Sequence, residues 1–85
     1  MKNEAAFQKQ LAKIGEKLAE LRKKKGYTSH ETFAYDYDLS RVQYWRIEKG
    51  KSNLTLRSLC NLLKIHGISS KDFFNRSLKI KILAV

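Results

Sequence analysis

The chain has 85 residues, with 18 Lys and Arg against 8 Asp and Glu, a net charge of +10. That length allows one small domain of four or five helices but no deep active-site cleft with its scaffold, and that charge favours a polyanion as partner. No run of about 18 apolar residues is present, so no membrane span and no membrane partner are expected, and the single cysteine, Cys60, makes neither an internal disulfide nor a multi-cysteine metal site.

The opening stretch KNEAAFQKQLAK alternates polar and apolar residues without a signal-peptide core, so a cytoplasmic location is expected. A first helix is predicted over residues 4–25. Phe7, Leu11, Ile14, Leu18 and Leu21 form its amphipathic stripe. Gly15 lies inside it and should weaken it by about 1 kcal/mol relative to alanine. The run RKKK at 22–25 puts positive charge at the helix C-terminus, and Gly26 ends the helix.

A second helix follows over residues 30–37, capped by Thr28 or Ser29. Asp38 stands in a tight turn, because its short polar side chain tolerates positive φ better than most residues. Ser40 caps a third helix over 41–49, which Gly50 ends. After the polar loop at 51–53, a fourth helix starts from Asn53 or Thr55. Leu56, Leu59, Leu62, Leu63 and Ile65 are expected to face inward, and Gly67 ends it. Ser69 or Ser70 caps a short fifth helix containing Asp72, Phe73 and Phe74. The tail SLKIKILAV at 77–85 fits a short strand or a continued helix.

The segment from 29 to 50 carries most of the functional information. Phe33, Ala34 and Tyr37 fall on one face of the second helix, Leu39 in the turn, and Tyr44 and Ile47 on one face of the third. Arg41, Val42, Gln43, Trp45, Arg46 and Lys49 are left exposed. Two short helices on a tight turn, with arginines on the outward face, suit the reading of a DNA groove. An enzyme is not expected. His30 and His66 lie far apart, Asp36 and Asp38 do not converge as a helical pair, and no Gly-rich phosphate loop is present. No cofactor and no metal are expected, and the stacking motifs of common RNA modules are missing.

From about residue 14 to 74 the chain resembles the helix-turn-helix domain of the phage lambda Cro and repressor type, the XRE family. The residues that carry the resemblance are LAELR followed by a glycine, FA in the second helix, LS at the turn, and RIEKGK. The family's usual turn glycine is Asp38 here, its frequent loop proline is Leu54, and its buried aliphatic in the third helix is Tyr44, whose hydroxyl must reach the core edge or a partner.

The resemblance implies an all-α, five-helix lambda-repressor-like fold. On this reading residues 1–13 extend the first helix, 14–76 form the DNA-binding domain and 77–85 are an apolar tail. It implies base reading by Arg41, Val42, Gln43, Trp45 and Arg46 from a recognition helix over 41–49. Ser29, His30, Ser40, Lys49, Lys51 and Asn53 would contact phosphate, with free backbone N–H groups at the start of the second helix. Arg22 and Glu48 would form a structural ion pair. Such regulators act as homodimers on pseudo-palindromes with half-sites roughly 34 Å apart. The tail, with Phe73 and Phe74, is the favoured dimer contact, and the stripe of Ala6, Phe7 and Leu11 is a second candidate. Two other readings fit: an antitoxin that binds operator DNA and a toxin protein, and a protein-docking module that has kept the fold. Arg41, Arg46 and the net charge argue against the docking module.

Overall fold

The 4, 3, 4, 3 spacing of apolar residues closes into a long helix, α1, Lys2–Lys24, in a computed structural model that describes residues 2–78, with side chains from 4 to 75. It is followed by α2 (His30–Asp36), α3 (Arg41–Glu48), α4 (Leu56–His66) and the short α5 (Ser70–Asp72), which runs into a π-helical segment, Phe73–Leu78. All regular structure among the described residues is helical. The expected strand or helix of the tail lies outside them from residue 79 on. The chain groups into two compact units, one ending at Leu54 and one beginning at Thr55.

In the first unit, Leu11, Leu18, Phe33, Ala34, Tyr44 and Ile47 are buried. Phe33 is the aromatic hub. Its ring centroid lies 5.3 Å from Tyr27, 4.9 Å from Tyr37 and 5.1 Å from Tyr44. Phe7 departs from its stripe and is 45% exposed.

Helices α1 to α4 end in one device. An N–H bonds back five residues and the N–H before it bonds back three, as in Tyr27 to Arg22 O (3.1 Å) with Gly26 to Lys23 O (3.0 Å). This is the Schellman motif, which needs one residue in the left-handed region. Glycine fills that place after α1, α3 and α4; Asp38, at φ 56°, fills it after α2. Leu39 N donates to Ala34 O (2.8 Å) and Asp38 N to Tyr35 O (3.2 Å), which fixes the tight turn between α2 and α3.

Two glycines let α3 press against α1. A Cβ on Gly15 would meet the carbonyl oxygen of Glu48 and lie 2.6 Å from that of Ile47. A Cβ on Gly50 would lie 2.8 Å from Ala12 Cα. The expectation that Gly15 merely weakens its helix is therefore incomplete: its missing side chain is what admits the end of α3.

In the second unit, Leu59, Leu62, Leu63 and Phe73 are buried. Two expectations fail here. Leu56 does not face inward; at the first position of α4, after the Thr55 cap, it projects from the open end of the helix and is 68% exposed. Phe73 is fully buried within its own chain, so it offers no surface to a second copy. Phe74, edge-on to it at 5.4 Å, is half-buried.

Candidate nucleic-acid interface

Helix α3 turns Tyr44 and Ile47 into the core and the Glu48 carboxylate towards Arg22. Arg41, Val42, Gln43, Trp45 and Arg46 are all exposed, and Val42 is 62% exposed although apolar. Ser40 caps the helix by accepting from Gln43 N (3.3 Å). Lys49, Lys51 and Asn53 continue the exposed surface beyond its C-terminus, while His30 is half-buried at the start of α2. Every residue that sequence reasoning assigned to DNA contact therefore lies in the first unit. Trp45, with 36% exposure, lines an open cleft with His30, Glu31, Arg41 and Val42.

Four side chains are more engaged than sequence reasoning expected. The Ser29 hydroxyl accepts from Glu31 N (3.1 Å) and Thr32 N (3.3 Å), so those two amides are not free for a phosphate. Arg46 Nη2 donates to the carbonyl of Lys51 (3.0 Å), and Lys51 N donates back to the Arg46 carbonyl (2.8 Å). Arg46 thus braces the loop after α3 as well as facing outward. Lys51 in turn carries its ammonium over the Trp45 ring, 5.9 Å from the centroid. Arg41 Nη1 lies 3.6 Å from a carboxylate oxygen of Glu31, a residue absent from the sequence-based site.

The rear of α3 is anchored by Arg22. Its Nε and Nη2 donate to the two carboxylate oxygens of Glu48, at 2.8 and 3.1 Å, and its Nη1 donates to the Tyr27 carbonyl at 2.8 Å. The two side chains are 7% and 6% exposed, so one fork ties α1, the loop after it and the end of α3 together away from water. The bonds from Glu48 hold the Arg22 guanidinium above its ordinary pKa, against the opposing effect of burial. The Tyr44 hydroxyl sits beside this pair without hydrogen-bond geometry to any described residue. Burial, and then the Glu48 carboxylate, push that phenol far above its usual range, so it stays protonated.

The signal for the missed role of Gly15 was present, and it also supports the Arg22–Glu48 pair that the resemblance implied. Gly15 and Arg22 both fall in register with the buried stripe, four residues after Leu11 and Leu18. A glycine or an arginine in such a register marks a close backbone approach or a buried ion pair. Glu31 beside Arg41 had no such signal, because it depends on the angle between α2 and α3.

Among the described residues, no group of His, Cys, Asp and Glu is arranged to hold a metal ion, and no helix is long and apolar enough to cross a membrane. The chain is 40% identical over 63 residues to the control protein C.MunI of a Mycoplasma species, an alignment covering 74% of this chain and 85% of that protein. It is 31% identical over 62 residues to the control protein C.BamHI of Bacillus amyloliquefaciens, covering 73% and 76%. It is also 40% identical over 45 residues to the plasmid copy control protein CopR of Streptococcus agalactiae, covering 53% of this chain and 49% of that one. No family model and no solved structure matches the chain. With two short helices on a tight turn, a basic outward face and these regulators as homologues, the chain belongs to the lambda Cro/repressor-type helix-turn-helix (XRE) family of DNA-binding transcriptional regulators and is not an enzyme.

Proposed function

We propose that the chain binds a specific double-stranded DNA operator, with α3 in the major groove, as a homodimer on a pseudo-palindrome. The observation that carries this reading is the division of α3. Two inward residues hold it, Arg22 pins its end, and five outward residues offer hydrogen-bonding and apolar chemistry suited to base edges. Arg41 is the foremost base reader, since a guanidinium grips guanine O6 and N7 for roughly 1–3 kcal/mol of discrimination. Val42 meets a thymine methyl, and Gln43 pairs with adenine. Trp45 packs against sugar or methyl groups beside them. Arg46 divides its donors between the Lys51 carbonyl and the DNA. Ser29 and Ser40 keep their hydroxyl hydrogens for phosphate, with His30, Lys49, Lys51 and Asn53 flanking them.

One short helix contacts few base pairs, so a second copy one helical turn along the duplex supplies the remaining specificity. The apolar tail at 77–85 is the proposed dimer element. Deleting it should halve the mass measured in solution; an unchanged mass rules it out. The function itself is tested by selecting bound duplexes from a random library. An enriched inverted repeat that disappears with Arg41→Ala supports the proposal. A pool that stays random refutes it and leaves non-specific electrostatic binding.

A further inference from the structure

We infer that Glu31 restrains operator binding by competing with DNA for Arg41. The inference rests on the proposed reading of α3. Glu31 lies in the first turn of α2 and Arg41 in the first turn of α3, both well exposed, with Arg41 Nη1 3.6 Å from Glu31 Oε2. The pair stands between two open concavities. One is lined by His30, Val42 and Trp45, the other by Thr32, Tyr35 and Leu39. Glu31 is thus a negative charge in the middle of a surface meant for phosphates, in a chain with a net charge of +10.

A carboxylate there opposes binding to every DNA sequence, but not equally. On a wrong sequence Arg41 gains no bidentate base partner and stays with Glu31, so the pair presents no net charge to the backbone. On the right sequence, guanine O6 and N7 replace the carboxylate as acceptors, and the Glu31 carboxylate is left unpaired beside the DNA. Breaking the pair is therefore a cost carried in full only by the operator complex, so Glu31 restrains operator binding more than random-duplex binding. The distance suits this role: at 3.6 Å between exposed groups the pair is loose enough to be exchanged.

The test is Glu31→Gln, measured on the selected operator and on a random duplex of equal length across a salt series. Removing one opposing charge is worth about one released counterion, a factor of about five at 0.15 M salt relative to 1 M. Random-duplex affinity should rise about fivefold, and its salt slope should steepen by about 0.9. Operator affinity should rise further, because the pair no longer has to be broken, so the ratio of the two rises by about 1.4- to 5-fold. In an Arg41→Gln background the same substitution should leave the ratio unchanged. Equal gains on both duplexes would make Glu31 a bulk charge and overturn the inference. So would reduced operator affinity with a lowered melting temperature, which would make it structural. A wild-type chain that selects no sequence overturns the underlying reading as well, and that result is visible before any variant is made.

Discussion

Gly15→Ala sets two physical effects of opposite sign against each other. Helix propensity alone favours alanine by about 1 kcal/mol in a helix interior. The structure opposes it. The added methyl would lie 2.6 Å from the Ile47 carbonyl oxygen and 2.8 Å from the Glu48 carbonyl carbon, where ordinary contact begins at 3.4 Å. The gap to be opened at the nearest atom, the Glu48 carbonyl oxygen, is about 1 Å, and the atoms that must yield are backbone rather than the tip of a flexible side chain. Overpacking of this kind costs roughly 1–3 kcal/mol, with the upper part of the range expected here because moving the end of α3 also stretches the buried Arg22–Glu48 fork. The net expectation is a loss of about 1–2 kcal/mol, or about 4–16 °C in melting temperature for a domain of this size. Thermal and urea unfolding of the two proteins would measure it. A Gly15→Ala variant that melts higher than wild type would refute the argument and reduce Gly15 to a simple helix weakener.

Three further outcomes are expected. Glu48→Ala leaves the Arg22 guanidinium buried with half its partners, so it should cost roughly 3–5 kcal/mol in urea unfolding; Glu48→Ala with unchanged stability would remove the fork from the account of the fold. Tyr44→Phe deletes a buried hydroxyl that lacks a hydrogen bond, so calorimetry should find the variant at least as stable as wild type, and a loss above about 1 kcal/mol would mean the hydroxyl is well bonded to the pair beside it. The Tyr27 hydroxyl donates to Asp36 (2.8 Å), which, with burial, pushes its pKa up from 10.0 to about 12. The folded state favours the neutral phenol, so this contribution is whole below pH 10 and is lost as pH rises from 10 towards 12. The decline of stability with pH in that window should be shallower in Tyr27→Phe, with a remaining slope from Tyr44; an unchanged slope would remove Tyr27 from the account.

What was legible in the sequence was local. Ser29, Ser40, Thr55 and Ser69 each cap a helix, because a cap is decided within three residues of chain. The positive φ of Asp38 follows from the same short-range logic. The inward pair Tyr44 and Ile47 was legible because period alone separates the faces of a helix. The features that escaped depend on distant elements meeting. Nothing near Gly15 in the chain says that residues 47 and 48 will lie against it. Nothing near Phe73 says that it will be covered completely while Phe74 is not. The Glu31–Arg41 pair needs the turn geometry that Asp38 sets. The engagement of Arg46 with the Lys51 carbonyl needs the loop to fold back on α3.

The way α3 is held has a consequence for how such a protein changes over time. The anchoring atoms are Tyr44, Ile47, Glu48 and the glycine contacts at 15 and 50, all at the middle and end of the helix. The exposed positions 41, 42 and 43 lie in its first turn and bury nothing. Side chains there can be exchanged at little cost to folding, so on the proposed reading of α3 new target sequences lie within a few substitutions of the present one. A randomised library at these three positions should consist mostly of folded proteins, each a candidate reader of a different DNA site.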